Sequence, residues 1–89
     1  MKIKQWYVYI IRAGDNSLYT GVTTDLKRRF EAHQKGKGAK YLKGRLPIQL
    51  VFEHPAETRS HAQRLEHWIK KQPKIVKEKL IQNKTSLPD

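Results

Sequence analysis

The 89-residue chain contains no cysteine, which excludes disulfides, thiol catalysis and cysteine-based zinc sites. No apolar run approaches the roughly 18–20 residues that a membrane-spanning helix requires. The first residues, Met1-Lys2-Ile3-Lys4-Gln5-Trp6, do not resemble a signal peptide, because the apolar stretch after them carries tyrosine and arginine and leads to no cleavage site. We therefore expect a cytoplasmic protein with no membrane partner.

Acidic residues are scarce, with 8 Asp and Glu against 19 Lys and Arg, which gives a net charge of +11. The cations are concentrated, with eight in residues 22–46 and six in residues 70–84. This density favours a nucleic-acid partner, because phosphate binding grows with the number of cations. A solvated basic surface and a ribosome-associated structural protein are the alternatives. Membrane-surface binding is disfavoured, since the basic stretches lack a broad apolar helix face.

The length and the hydrophobic patterning predict one small domain over residues 1–89, with a core at about 5–82 and a frayed tail at 83–89. The pattern predicts an α+β fold in the order β-β-α-β-α-α, with helices packed on a sheet. The expected elements are strands at 4–12, 18–23 and 48–54 and helices at about 25–35, 60–71 and 74–82. Pro55 is expected to end the third strand, and Ser60 to cap the second helix. The loop over 35–47 is rich in glycine and lysine, which suits a flexible arm that lies against phosphates.

Polar side chains lie on helix faces that should be apolar. Arg29 and His33 share the i, i+3, i+4, i+7 stripe of the first helix, and Glu66 lies on the stripe of the second. A carboxylate on an inward face is expensive to desolvate unless it is paired or bound to a cation. From the residues alone, a Glu66–Arg29 salt bridge between two helices and a metal site both remain open.

Tyrosines on the first two strands have packing as their ordinary explanation. Gly21 is more informative, because glycine inside a strand weakens it unless a backbone or a ligand must come close. The four histidines show no metal-ligand spacing, so the sequence does not predict zinc.

The order of these residues resembles the GIY-YIG nuclease domain. Tyr7-Val8-Tyr9 precedes Tyr19-Thr20-Gly21, and then come Arg29, His33 and a distant helical Glu66. The resemblance covers roughly residues 5–82 and extends to small stand-alone bacterial GIY-YIG proteins. Residues 19–40 are also similar to structure-selective nucleases of branched DNA. Tyr7 and Thr20 depart from the glycine and isoleucine of the family motifs, and Val22 stands where some repair nucleases carry a lysine.

The resemblance implies a small antiparallel sheet of three strands with flanking helices, and phosphodiester hydrolysis with one divalent cation, Mg²⁺ or Mn²⁺. By position, Tyr9 and Tyr19 match the two motif tyrosines and Arg29 matches the catalytic arginine. His33 matches the histidine one turn later, and Glu66 matches the metal ligand. One carboxylate suits one metal ion better than two.

Each matched residue has an expected role in phosphodiester hydrolysis. Tyr19 would orient or deprotonate the attacking water, and Arg29 would clamp the scissile phosphate. Tyr9 would hold the phosphate or the network around the nucleophile. His33 would either protonate the leaving group or orient Tyr9, and the sequence leaves both open.

The expected partner is DNA, with branched or damaged DNA in repair as the substrate and a partner protein or a homodimer for cutting the second strand. Gly21 would let the DNA backbone approach the strand. The residues expected to contact phosphates are Arg28, Lys37, Lys40, Lys43 and Arg45. The alternative function is a catalytically inactive basic module that binds nucleic acid and keeps the same fold.

Overall fold

The computed structural model describes residues 4–88, and its helices and strands follow the order β-β-α-β-α-α. The strands are β1 (Trp6–Arg12), β2 (Leu18–Thr23) and β3 (Gln49–Ala56). The helices are α1 (Leu26–Gln34), α2 (Arg59–Lys70) and α3 (Lys74–Ile81). The predicted α+β class and element order are confirmed. The expectations for residues 1–3 and for residue 89 fall outside the described residues.

The sheet is antiparallel, with the strand order β2-β1-β3, as the resemblance implies. Strand β1 is central and is buried on both faces: Val8 and Ile10 point to one side, and Tyr9 and Ile11 point to the other. In the register with β2, Tyr9 lies opposite Gly21 and Ile11 lies opposite Tyr19. Two tyrosines of adjacent strands are therefore presented on one face of the sheet.

Each face of the sheet has its own core. On the face of Val8 and Ile10, the buried partners come from α2 and α3: Ala62, Leu65, Ile69 and Leu80. Leu87 packs against this core as well, although the sequence predicts fraying of residues 83–89. On the other face, Tyr9 and Ile11 pack with Ala13, Leu42 and Ile48, and two residues of α1, Leu26 and Phe30, cover them.

Two predicted boundaries are wrong. Strand β3 continues through Pro55, which lies opposite Tyr7. Proline is tolerated there because β3 is an edge strand, so a missing N–H need not break a hydrogen bond to a second neighbour. Helix α2 is capped by Thr58, whose hydroxyl accepts the backbone N–H of His61 at 3.0 Å, and Ser60 lies inside the first turn.

The loop over residues 35–47 is anchored, contrary to the expected flexible arm. A single 3₁₀ turn, Lys40–Leu42, places the side chain of Leu42 in the second core with 0% exposure. Gly36 and Gly44 have φ of 74° and 83°, which glycine adopts without strain. Within residues 4–88, no helix combines the length and the apolar character needed to cross a membrane.

Candidate active site

The two motif tyrosines lie side by side on β1 and β2, with ring centroids 6.4 Å apart. Tyr9 is 2% exposed, whereas Tyr19 is only half-buried and reaches the surface. Gly21 is buried, and a Cβ atom there would lie 2.5 Å from the hydroxyl oxygen of Tyr9. Tyr9 therefore makes a close approach that requires glycine at this position.

His33 is held in one orientation and one tautomer. Its Nδ1 accepts the backbone N–H of Ala39 at 3.0 Å, and its Nε2 lies 2.9 Å from the hydroxyl oxygen of Tyr9. Because a backbone N–H only donates, Nδ1 is unprotonated and Nε2 carries the hydrogen that it donates to Tyr9. Burial, together with the charge of Arg29, lowers the pKa of His33. The imidazole is consequently neutral at neutral pH.

A glycine allows the loop to close over this histidine. A Cβ atom on Gly38 would overlap the ring of His33, so a larger residue would displace either the ring or the loop. The backbone that follows supplies the Ala39 N–H to Nδ1. The loop thus sets the tautomer of His33.

Tyr9 continues this chain of hydrogen bonds as a neutral phenol. Burial raises the pKa of Tyr9, and the charges of Tyr19 and Glu66 act in the same direction, while Arg29 opposes them. The Tyr9 oxygen accepts from His33, so its own hydrogen is free to point at another acceptor. The chain of hydrogen bonds from the Ala39 N–H through His33 therefore leaves the Tyr9 hydrogen available for a further acceptor.

Arg29 lies at the rim of the site. The helical periodicity predicts that Arg29 faces inward. In the structure Arg29 is exposed, whereas His33 on the same stripe is buried. Arg29 lines a narrow gap together with Tyr9, and it also lines a surface depression that Arg28 borders. Of these two neighbours, Arg29 is the one that lies beside Tyr9.

Glu66 comes from α2, on the other side of the sheet. Its side chain is 22% exposed, and its carboxylate pairs with the ammonium group of Lys70, one turn later, at 2.9 Å. Within residues 4–88 it forms no ion pair with Arg29, so the alternative of a Glu66–Arg29 bridge is wrong. Its charge nonetheless acts on Tyr9, whose pKa it raises.

The Glu66 carboxylate is a suitable ligand for one hard divalent cation. Among residues 4–88, no three His, Asp or Glu side chains converge on one point. A lone carboxylate suits Mg²⁺, which keeps several of its waters and takes further oxygens from a phosphate. The Lys70 side chain is 53% exposed, and its ammonium group already pairs with the carboxylate, so a metal ion would take the place of this positive partner.

The expected phosphate contacts divide into two groups. Lys37, Lys40, Lys43 and Arg28 are exposed and are available to a ligand. Arg45 is engaged within the protein: it pairs with Asp15 and donates from Nε to the Tyr41 carbonyl at 2.7 Å. Arg45 therefore has a structural role, while 41% of its side chain stays exposed.

Sequence reasoning missed Tyr41 and Lys70. The Tyr41 ring stacks on Tyr19, with a centroid distance of 6.1 Å and an interplanar angle of 23°. The only available signal for Tyr41 was an aromatic residue inside a lysine-rich loop. For Lys70 the signal was the i, i+4 spacing from Glu66, which favours an ion pair on a helix.

Comparisons with known proteins identify a family and similar structures. A family model described as the GIY-YIG catalytic domain matches residues 5–82. The chain is 52% identical over 79 residues to a UPF0213 protein of Cronobacter sakazakii, covering 89% of this chain and 83% of that one. It is similar to the solution NMR structure of a UPF0213 protein from Bacillus halodurans, with a TM-score of 0.58 and 42% identity over 90% and 85% of the two chains. A solution NMR structure of a protein from E. faecalis gives a TM-score of 0.64 with 36% identity, over 92% of this chain and 88% of that one.

Proposed function

The chain belongs to the GIY-YIG catalytic domain family, a relationship that indicates nuclease activity, and we propose that it is a metal-dependent endonuclease that hydrolyses phosphodiester bonds in DNA. The observation that carries the proposal is the buried chain of hydrogen bonds from Ala39 through His33 to Tyr9. Burying a histidine in a fixed tautomer against a tyrosine orients a proton. Binding of phosphates by surface lysines requires no such arrangement.

Tyr19 acts on the attacking water in this mechanism, because it is the tyrosine that reaches the surface. Its hydroxyl orients the water or, as the phenolate, accepts the water's proton as the new P–O bond forms. The bond to the 3′-oxygen breaks, and that oxygen takes a proton from the solvent. Tyr9 is buried and neutral, so it donates its hydrogen to the oxygens of this network instead of binding the phosphate itself. His33 orients Tyr9, since its single N–H is already engaged there.

Arg29 clamps the scissile phosphate and stabilises the charge that develops on it, since a guanidinium donates two parallel hydrogen bonds to an oxyanion. Glu66 would hold one divalent cation, Mg²⁺ or Mn²⁺, and Lys70 would release the carboxylate when the cation binds. A bound cation supplies positive charge that stabilises the phosphoryl oxygens in the transition state.

The exposed cations of the loop and of α1 hold the DNA. Lys37, Lys40, Lys43 and Arg28 lie on the surface and contact backbone phosphates, which positions the substrate without reading its sequence. We extend the proposal to branched or damaged DNA as the substrate. A homodimer or a partner protein would cut the second strand, because residues 4–88 offer one set of these site residues.

The test is incubation of the purified protein with branched, single-stranded and duplex DNA, with Mg²⁺, with Mn²⁺ and with a chelator. We expect strand cleavage with either metal and none with the chelator. Binding should weaken steeply with salt, by about 0.9 log units per log unit of salt for each phosphate that is neutralised on duplex DNA. Tight, salt-sensitive binding with no cleavage on any substrate would leave the inactive binding module as the function.

A further inference from the structure

A stack of side chains borders the open side of the candidate active site and ties three segments together. The Tyr41 ring lies against Tyr19, and the Arg45 guanidinium sits 4.3 Å from the Tyr41 ring centroid. Arg45 in turn pairs with Asp15 in the turn between β1 and β2. Neither Tyr41 nor Asp15 has a part in the chemistry proposed above.

The far end of this stack is fixed by several contacts. Asp15 accepts from the Ser17 hydroxyl at 2.5 Å and from the Ser17 backbone N–H at 3.0 Å. The Gly14 N–H donates to the Arg45 carbonyl at 2.6 Å, and a Cβ atom on Gly14 would lie 2.6 Å from the Leu46 carbonyl oxygen. The turn and the end of the loop are therefore docked as one unit, and only glycine permits that approach.

The exposure of Tyr41 has two competing explanations. With 41% of its surface exposed in a lysine-rich loop, the ring could be a platform on which an unpaired base stacks. A platform needs an open ring face, yet Tyr41 carries the Arg45 guanidinium over its ring and packs against Tyr19. The contacts favour a ring that supports its neighbour.

We propose that Tyr41 is a positioning residue that fixes the ring of Tyr19, and that Arg45 and Asp15 hold Tyr41 in place. The inference rests on the proposed nuclease function, in which the Tyr19 hydroxyl must face the attacking water. Tyr19 is half-buried and lies on the outer strand of the sheet, so its exposed side needs a support. Tyr41 supplies that support through its ring, and its hydroxyl plays no part.

The test compares Tyr41→Ala and Tyr41→Phe, with Leu46→Ala as the matched control. Leu46 is also a large exposed side chain of the loop, at 54%, but it lies outside the stack. Misplacement of a reacting group by about 1 Å costs up to about 100-fold in rate. We expect Tyr41→Ala to lower kcat by about 10–100-fold with KM for DNA within about twofold. Tyr41→Phe and Leu46→Ala should keep the parental kcat.

A second readout needs no catalysis. In the free protein, the NMR shifts of the Tyr19 ring should change in Tyr41→Ala and stay near the parental values in Tyr41→Phe, because the ring of residue 41 shields its neighbour. An active Tyr41→Ala protein with parental kcat would overturn the inference and leave the nuclease function standing. A raised KM with unchanged kcat would also overturn it, in favour of a base-stacking platform. A parent protein that cuts no DNA would overturn the proposed function and this catalytic role together.

Discussion

Replacing Glu66 by Gln separates a metal site from a structural ion pair. The change keeps the shape of the side chain and removes its charge. In the structure, Glu66 is bound to Lys70 on the same helix, at 2.9 Å, with 22% and 53% of the two side chains exposed. An i, i+4 pair of this exposure contributes about 0.3–0.5 kcal/mol to stability, since water screens the charges and the long side chain loses entropy. A change of 1 kcal/mol shifts Tm by about 4–8 °C in a domain of this size, so Glu66→Gln should lower Tm by no more than about 2–4 °C.

The expected loss is in metal binding and cleavage. Thermal melts followed by circular dichroism should show that Mg²⁺ or Mn²⁺ raises the Tm of the parent protein, because a ligand that binds only the folded state stabilises it. Glu66→Gln should show no such rise and should not cleave DNA, while its DNA affinity holds or increases. Glu57→Gln removes a charge from an exposed position outside the site and serves as the control.

A purely structural role for Glu66, as one half of a buried ion pair, predicts a different result. If Glu66 were one half of a buried ion pair, its loss would cost roughly 3–5 kcal/mol, which corresponds to a fall in Tm of at least about 12 °C. A fall of that size, combined with a metal response equal to that of the parent, would refute the assignment of Glu66 as the metal ligand.

Three further perturbations test other parts of the site. Arg29→Ala should lower kcat by about 10²–10³-fold, because Arg29 lies beside Tyr9, whereas Arg28 borders the surface depression and Arg28→Ala should mainly weaken DNA binding. Single-turnover kinetics distinguish the two, and equal effects would contradict the roles. Lys70→Met should lower the Mn²⁺ concentration needed for half-saturation, because it removes the cation that competes for the Glu66 carboxylate. Titration of the free protein with Mn²⁺ measures this concentration, and the control Lys71→Met should leave it unchanged. Stability should fall as the pH drops below about 4.5, because hydrogen bonds from Arg12 hold the pKa of Glu78 below its ordinary 4.5. The unfolded chain then binds the proton at a higher pH than the folded protein does. Tm measured between pH 6 and pH 2.5 should decline less steeply in Glu78→Gln.

The elements of the fold were predictable because each one has a clear local pattern. A continuous run of aromatic and β-branched residues defines β1, and the periodic stripe of Ala62, Leu65 and Ile69 defines α2. The boundaries were less predictable because they depend on neighbours. Pro55 is tolerated since β3 is an edge strand, which is a property of the sheet order and not of the local sequence.

The candidate site was predictable as a set of residues but not as a set of contacts. The resemblance identified Tyr9, Tyr19 and His33, and the structure brings all three rings within 6.4 Å of one another. The tautomer of His33 could not be predicted, because it depends on the backbone N–H of Ala39 after the loop has folded back. The ion-pair partner of Glu66 is Lys70, not Arg29, because Lys70 is the nearest cation. The periodic stripe of α2 does not show which cation lies nearest.

The loop shows why composition misled the sequence-based prediction and what the correct picture implies for binding. Glycine and lysine content predicted a flexible arm, but composition does not reveal that a single leucine, Leu42, is fully buried, or that Arg45 is docked on the β1–β2 turn. Under the proposed function, an ordered loop fixes the backbone positions of Lys37, Lys40 and Lys43 before DNA binds. Binding would then cost less entropy for ordering the backbone, so the same cations would give tighter binding than on a mobile arm. The contacts that hold the loop on His33 and Tyr19 would therefore serve both the proposed phosphate-binding surface and the proposed catalytic residues.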